Sequence, residues 1–272
     1  MNIRSLCRLY GVSRSGFYAW RSRGVSAHRV YDDELIKAIK ELHQGYQRSY
    51  GARRVYQVLR SKGFSCSVRR VNRLMREMGI KARTTGLYPW RPGQHAFFSS
   101  TGNQLAKAEP ANSVKQHWAG DYTYIKTQEG FVYYAVVMDL FSRRIIGWSF
   151  ARKRDSELTK SALKLALDRH QPSRGCLFHS DQGIEYAAHD YHELLKAAGM
   201  VRSMSRKATP QDNAKVESFF HTLKAELVHK RQFRNVYEVV AHISEYITFY
   251  NQERLHSSLG YQSPENYEKL CA

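Results

Sequence analysis

Long apolar runs are missing from this sequence. The longest, Phe131 to Met138, has eight residues, far short of the ~18 a membrane-spanning helix needs. The basic start MNIRSLCRLYGV leads into no apolar stretch, so no secretory signal is expected. Cysteine is scarce: Cys7, Cys66, Cys176 and Cys271 stand far apart, with no pair at zinc-ligand spacing. That argues against a disulfide framework or a Cys-based metal site, and makes a reducing cytoplasm the expected setting. Acid is the other shortage, and it is local. Residues 1–100 hold 20 Lys/Arg against five Asp/Glu, a net +15, whereas residues 101–272 hold 23 against 19, a net +4.

What is present can fold. The 272 residues are 42% hydrophobic and 12% aromatic, enough for a sizeable core. At a rough prior of ~150 residues per domain the length fits one large domain or two ordinary ones. The charge divide suggests a polyanion-binding module joined to a nearly balanced one. In the front part arginine outnumbers lysine by sixteen to four. A surface kept only for solubility has no need of that, whereas guanidinium forks suit phosphates and guanine edges.

Residues 1–30 read as a short, partial helix-turn-helix, SLCRLYGVSRSGFYAW, opened at Gly11 and capped by Ser13 or Ser15. Residues 31–80 form a stronger helical unit. Leu35, Ile36, Ile39 and Leu42 mark one amphipathic helix, and Val55, Val58 and Leu59 a second, stopped by Gly63. Ser67 then caps VRRVNRLMREMG, whose apolar stripe is Val68, Val71, Leu74, Met75 and Met78. Arg69, Arg70, Arg73 and Arg76 fill its other face, as a helix lying in a major groove requires; a basic helix in a small bundle is the alternative. Residues 81–116, with Pro89, Pro92 and Pro110 and the cations Lys81, Arg83 and Arg91, read as an extended basic linker.

From residue 117 the rhythm alternates. HWAGDYTYIKT, FVYYAVVMDL and RRIIGWSFA read as strands, helix 156–170 is capped by Ser156, and short strands at 176–179 and 201–204 bracket helix 189–198. A helix opened by Asp212 reaches about His229, and a last one runs from 236 to 250. The order predicts an α/β domain with a mixed, five-stranded sheet. Asp121 falls in the first strand, Asp181 just after the fourth, and Glu217 on the long helix beside its buried stripe, with His221 and Lys224 on the same flank. Carboxylates meeting from different elements suit hard divalent cations, and a pair of such ions suits phosphodiester chemistry. Asp139 is expected to pair with Arg143 or Arg144 or to cap its turn, Glu185 to sit on a loop surface, and His179 to be a buried, satisfied histidine.

The spacing, 59 residues between Asp121 and Asp181 and 35 between Asp181 and Glu217, resembles the DD(35)E pattern of retroviral-integrase-like transposases. WAGDYTYI, YYAVVMDLFSRRIIGW, HSDQGIEY, DNAKVESFFHTLKAEL and YNQERLHSSLGYQSPENY together resemble the OrfB transposase of insertion sequences in the IS-three group. YGARRVYQVLRSKGF and RRVNRLMREMGIKAR are similar to its helix-turn-helix segment.

The resemblance covers almost the whole chain. It implies a ribonuclease-H-like catalytic core over 117–229 behind an all-α helix-turn-helix region, with a C-terminal helix and tail over 230–272. It also implies Asp121, Asp181 and Glu217 as ligands of two Mg²⁺ ions (Mn²⁺ substituting), Lys224 as a DNA-contacting base, and metal-dependent cleavage and strand transfer at element ends. The implied partners are double-stranded DNA, further copies of the chain, and the upstream OrfA product as a fusion or companion, at the bacterial nucleoid. The two helical turns before Gly11 are short enough to agree with a missing front. A nuclease without strand transfer and a DNA-binding regulator with a decayed core stand as the alternatives.

Overall fold

The computed structural model describes residues 2–82, 102–205 and 213–272. The chain divides at Arg83 into a helical unit and an α/β unit. The helical unit has α1 (Ile3–Leu9), α2 (Arg14–Ser22), α3 (Ala27–Gly45), α4 (Ala52–Ser61) and α5 (Val68–Glu77). Side-chain oxygens set the starts of four of them: Asn2, Ser13, Ser26 and Ser67 each accept a first-turn N–H, satisfying donors the helix itself cannot. Gly63, at φ +86°, turns the chain between α4 and α5. The core of α3–α5 is Leu35, Ile39, Leu42, Val55, Val58, Leu59, Val71, Leu74 and Met75, closed by the buried ring of Tyr50. The α1–α2 hairpin buries only Cys7 and leaves Leu9, Tyr10, Val12 and Trp20 exposed.

The α/β unit has β1 (His117–Thr127), β2 (Gly130–Asp139), β3 (Ile145–Ala151), α6 (Ser156–Arg169), β4 (Leu177–Ser180), α7 (Ile184–Ala187), α8 (His189–Ala197), β5 (Val201–Met204), α9 (Ala214–Glu226), α10 (Val236–Gln252) and α11 (Pro264–Cys271). Its single sheet has the order β3-β2-β1-β4-β5. β1 to β3 pair antiparallel, and β4 joins β1 and β5 in parallel. Each face carries its own core. Val132, Tyr134, Val136 and Met138 meet Phe219, Phe220 and Leu223 of α9 and Ile243 and Ile247 of α10; Ala135 and Val137 meet Leu158, Leu163 and Ala166 of α6. A strand covered on both sides has no solvent face to keep polar, which is why β2 supplied the longest apolar run. α6 lies so close to β3 that a Cβ at Gly147 would stand 2.2 Å from the carbonyl oxygen of Ala162.

The tail is strapped to this core. Asn251 accepts from the backbone N–H of Ile145 and donates to its carbonyl, both at 2.9 Å. Arg254 forms a buried ion pair with Glu226, which also accepts from Tyr246. Arg144 bridges to Glu265 and Glu268 of α11.

Several details depart from the sequence expectations. α6 is capped by Asp155 rather than Ser156, because the chain is still extended at Asp155. Helices α7 and α11 were not foreseen; the latter is announced by Ser263, whose hydroxyl caps it, and Pro264 in its first turn. Residues 102–116 do not run free as a linker: Leu105 packs on the α9 core and donates its N–H to Ser203 Oγ at 2.9 Å, and Lys115 donates to Asp139. Arg83, Pro89, Arg91, Pro92 and the Asp212 cap lie outside the described residues.

Candidate active site

The site forms where two parallel strands part. β4 pairs with β1 only as far as Ala119↔His179, so beyond Gly120 this edge of β1 is open. Asp121 is the first side chain past that point on the face shared with Ala119 and Ile125, the face that α9 covers. Asp181 directly follows Ser180, the last residue of β4. α9 is anchored to the same spot by Asn213, whose amide donates to the Gly120 carbonyl at 3.3 Å. Glu217 follows in the first turn of α9 and Lys224 two turns later. Gly120 has to be small here, since a Cβ would meet the Phe178 ring at 2.8 Å.

The electrostatics show the acids acting on one another. Burial, then the charge of Asp181, pushes the Asp121 carboxyl well above the ordinary range; Glu217 adds to this, while the Tyr122 N–H and Lys224 oppose it. Burial raises Asp181 and Glu217 too, and Asp181 adds to the shift of Glu217. Burial lowers the Lys224 ammonium, and the facing Asp121 resists that. Like charges brought together out of water raise each other's proton affinity unless a cation intervenes. The donor set is hard oxygen, as Mg²⁺ or Mn²⁺ prefers. Among the described residues no three acids, histidines or cysteines stand close enough to share one ion.

The structure corrects the expectation for Glu185. It is not a surface residue but 2% exposed, in α7 just after Asp181, and Arg154 Nε donates to its Oε1 at 2.6 Å. A Cβ at Gly183 would meet Asp181 Oδ1 at 2.9 Å and Glu185 Oε2 at 3.0 Å, so both oxygens border the same small space. Nothing in the local sequence distinguished Glu185, because its partner lies 31 residues earlier. Asp139 caps its turn, accepting from the N–H groups of Phe141 and Ser142. His179 is buried between Ser203 Oγ and Ser205 Oγ, at 2.9 and 3.0 Å.

In the helical unit the four arginines of α5 divide. Arg70 and Arg73 both reach Asp32 of α3 at 2.8 Å, and Arg73 also pairs with Glu77. Arg69 and Arg76 are exposed and make no ion pair or hydrogen bond among the described residues; with Asn72 they form the outward strip of the helix.

The sheet order and its flanking helices are those of an integrase-type core, and the chain also carries a helix-turn-helix-like unit. Models described as "Integrase core domain" match residues 111–210 and 198–264, and one described as "HTH-like domain" matches residues 30–86. A Lactococcus lactis transposase for insertion sequence element IS904 is 39% identical over 87% of this chain and 92% of its own length. Transposase InsF for insertion sequence IS3A of Escherichia coli is 36% identical over 98% of this chain and 94% of its own. The chain belongs to the IS3 family of insertion-sequence transposases, DDE enzymes of the polynucleotidyl transferase class. Among solved structures, a simian T-cell lymphotropic virus intasome aligns with a TM-score of 0.48 at 13% identity, covering 85% of this chain and 74% of that one. The HTLV-2 integrase catalytic core in complex with magnesium aligns at 0.41 and 16%, covering 57% and 95%. Among the described residues no helix is long and apolar enough to cross a membrane.

Proposed function

We propose that Asp121, Asp181 and Glu217 are the carboxylates at which this transposase cuts the ends of its element and joins them to target DNA. One observation carries the reading: the three acids come from β1, the end of β4 and α9, and two of them raise the proton affinity of a third, with Lys224 as the facing cation. The carboxylates would hold two Mg²⁺ ions, with Mn²⁺ able to replace them, and those ions supply charge neutralisation and polarisation of the phosphodiester. The chain's own residues do the rest. Asn213 and the Gly120 carbonyl hold α9 against β1, keeping Glu217 and Asp121 on one side of the open edge. Lys224, with its ammonium over the Tyr124 ring at 5.5 Å, offers a cation to DNA phosphate at the rim.

The helical unit supplies affinity through Arg69 and Arg76, which are free to meet DNA; Arg70 and Arg73 serve first as fold-internal pairs with Asp32. Further copies of the chain assembled on DNA, and an upstream OrfA segment, complete the working enzyme. The exposed apolar side chains of α1–α2 support a docked partner there. Its place of work is the nucleoid, where its substrate is.

The test is an oligonucleotide end with Mg²⁺, Mn²⁺ or EDTA and a second duplex as target. Joined product with either metal, and none in EDTA, is expected. Nicking with no joined product, with or without the OrfA segment, would leave a nuclease.

A further inference from the structure

A buried acid in this core is spent on holding a surface arginine. Glu185 is nine-tenths or more buried, and taking a carboxylate out of water is costly unless it is well paired. Its one charged partner among the described residues is Arg154, whose side chain is 53% exposed, so the pair is not part of the apolar core. The same guanidinium lies over the Tyr122 ring, 5.6 Å from its centroid. Tyr122 is the residue after Asp121, and Glu185 lies in α7 just after Asp181. Arg154 is therefore fixed from two sides by the neighbours of two site acids. Its charge is felt at Asp181, where it opposes the rise caused by burial and by Glu185.

Only Nε is engaged in a hydrogen bond among the described residues, none of which takes the N–H groups of the two terminal nitrogens, and the side chain is 53% exposed. A guanidinium held by Nε with its far edge open is the shape that grips a phosphate with two parallel hydrogen bonds. Such a grip has a job here. The carboxylates near the end of β4 would repel an arriving polyanion, and the cation felt at Asp181 is Arg154, whereas Lys224 lies over the Tyr124 ring and acts at Asp121. Glu185 Oε2 has no hydrogen-bond partner among the described residues, so Glu185 can act on this subsite by charge and orientation without being consumed in another network.

We propose that Arg154 is a phosphate-binding subsite for the DNA strand entering the acid cluster, and that Glu185, with Tyr122 beneath, is the residue that positions it. The inference rests on the transposase reading above. It adds a DNA contact in the α/β unit to those of the α5 arginines in the helical unit, and gives a buried carboxylate a role other than metal ligation.

The experiment uses the full chain and a fluorescent duplex carrying the element's own terminus. Binding is read by anisotropy in EDTA over a salt series, end cleavage in Mg²⁺ is read as kcat and KM, and Mn²⁺ binding is read by calorimetry without DNA. Arg154→Gln should weaken binding by on the order of tenfold, the loss of one charge-assisted contact. It should also flatten the dependence of log affinity on log salt by about 0.9, the value for one phosphate. Arg154→Lys should restore the salt slope but not the full affinity, since a point charge lacks the fork. Glu185→Gln should keep the salt slope and raise KM, because the arginine remains but is no longer held. The double variant should bind no worse than Arg154→Gln alone.

If Arg154→Gln melts early by leaving Glu185 unpaired, the double variant, which removes both charges, carries the slope test. A wild-type slope and affinity in the Arg154→Gln or double variant overturns the proposal. Weaker Mn²⁺ binding by Glu185→Gln, with effects additive to those of Arg154→Gln, overturns it in favour of a fourth metal ligand. Failure of the wild-type chain to bind or cut DNA even with the OrfA segment supplied would instead count against the transposase reading.

Discussion

Acids in the two units live under opposite conditions. In the helical unit Asp32 is buried between α3 and α5, yet Arg73 and Arg70 hold its carboxyl below the ordinary range, the pull of their hydrogen bonds and charges outweighing the cost of burial. In the α/β unit Asp121 is pushed well above that range by burial and by Asp181, with the Tyr122 N–H and one half-buried lysine to oppose it. The first arrangement is finished and serves to join two helices. The second is short of positive charge, and a fold tolerates such a deficit where something bound later makes it good. Glu226 belongs with Asp32: although it lies in the α/β unit, it is matched by Arg254 and Tyr246. The distinction therefore follows local charge balance rather than domain.

The largest effect should come from the unbalanced cluster. Glu217→Gln should reduce end cleavage to background while leaving the metal-free melting temperature unchanged or higher, since it removes a repelling charge. Retained cleavage, or early melting, would blur the comparison, and rate and melting measurements on one preparation decide it. Next, Arg254→Met should lower stability by about 3–5 kcal/mol, because it strands Glu226 as an uncompensated buried charge; denaturant unfolding would read this.

Gly147→Ala should cost about 1–3 kcal/mol, typical of overpacking, through its clash with α6 rather than through any charge. It marks the scale of a purely steric change. The smallest stability effect belongs to Asp32→Asn, which acts on partly exposed arginines and is screened by water. The folded-state pKa of Asp32 is depressed. Its stabilisation is thus complete above the ordinary aspartate pKa and disappears as pH falls through the folded value. Wild type and Asp32→Asn should therefore converge in melting temperature on acidification, and a constant gap would deny the pairing its role.

What the sequence disclosed follows the same line. Strand and helix order and the apolar stripes of α3, α4 and α5 were readable, because periodicity is a property of neighbouring residues, and the spacing of the three acids could be read off directly. The partners of polar side chains were not. Asp32 reaches Arg70 and Arg73 from 38 and 41 residues away, so two of the four arginines credited with DNA contact are committed elsewhere. Glu185 was misplaced on the surface for the same reason. The tail segment around Asn251 and Arg254 is of the same kind: its partners, Ile145 and Glu226, lie 106 and 28 residues earlier in the chain.

The Asn251 amide has a further effect. β3 is an outer strand, and an outer strand's unpaired N–H and C=O groups invite a strand from another molecule to continue the sheet. By taking both backbone groups of Ile145 at once, the carboxamide imitates one residue of such a neighbour and occupies its place. The amide thereby closes the start of this border by its own side chain, with no backbone of a further strand spent on it.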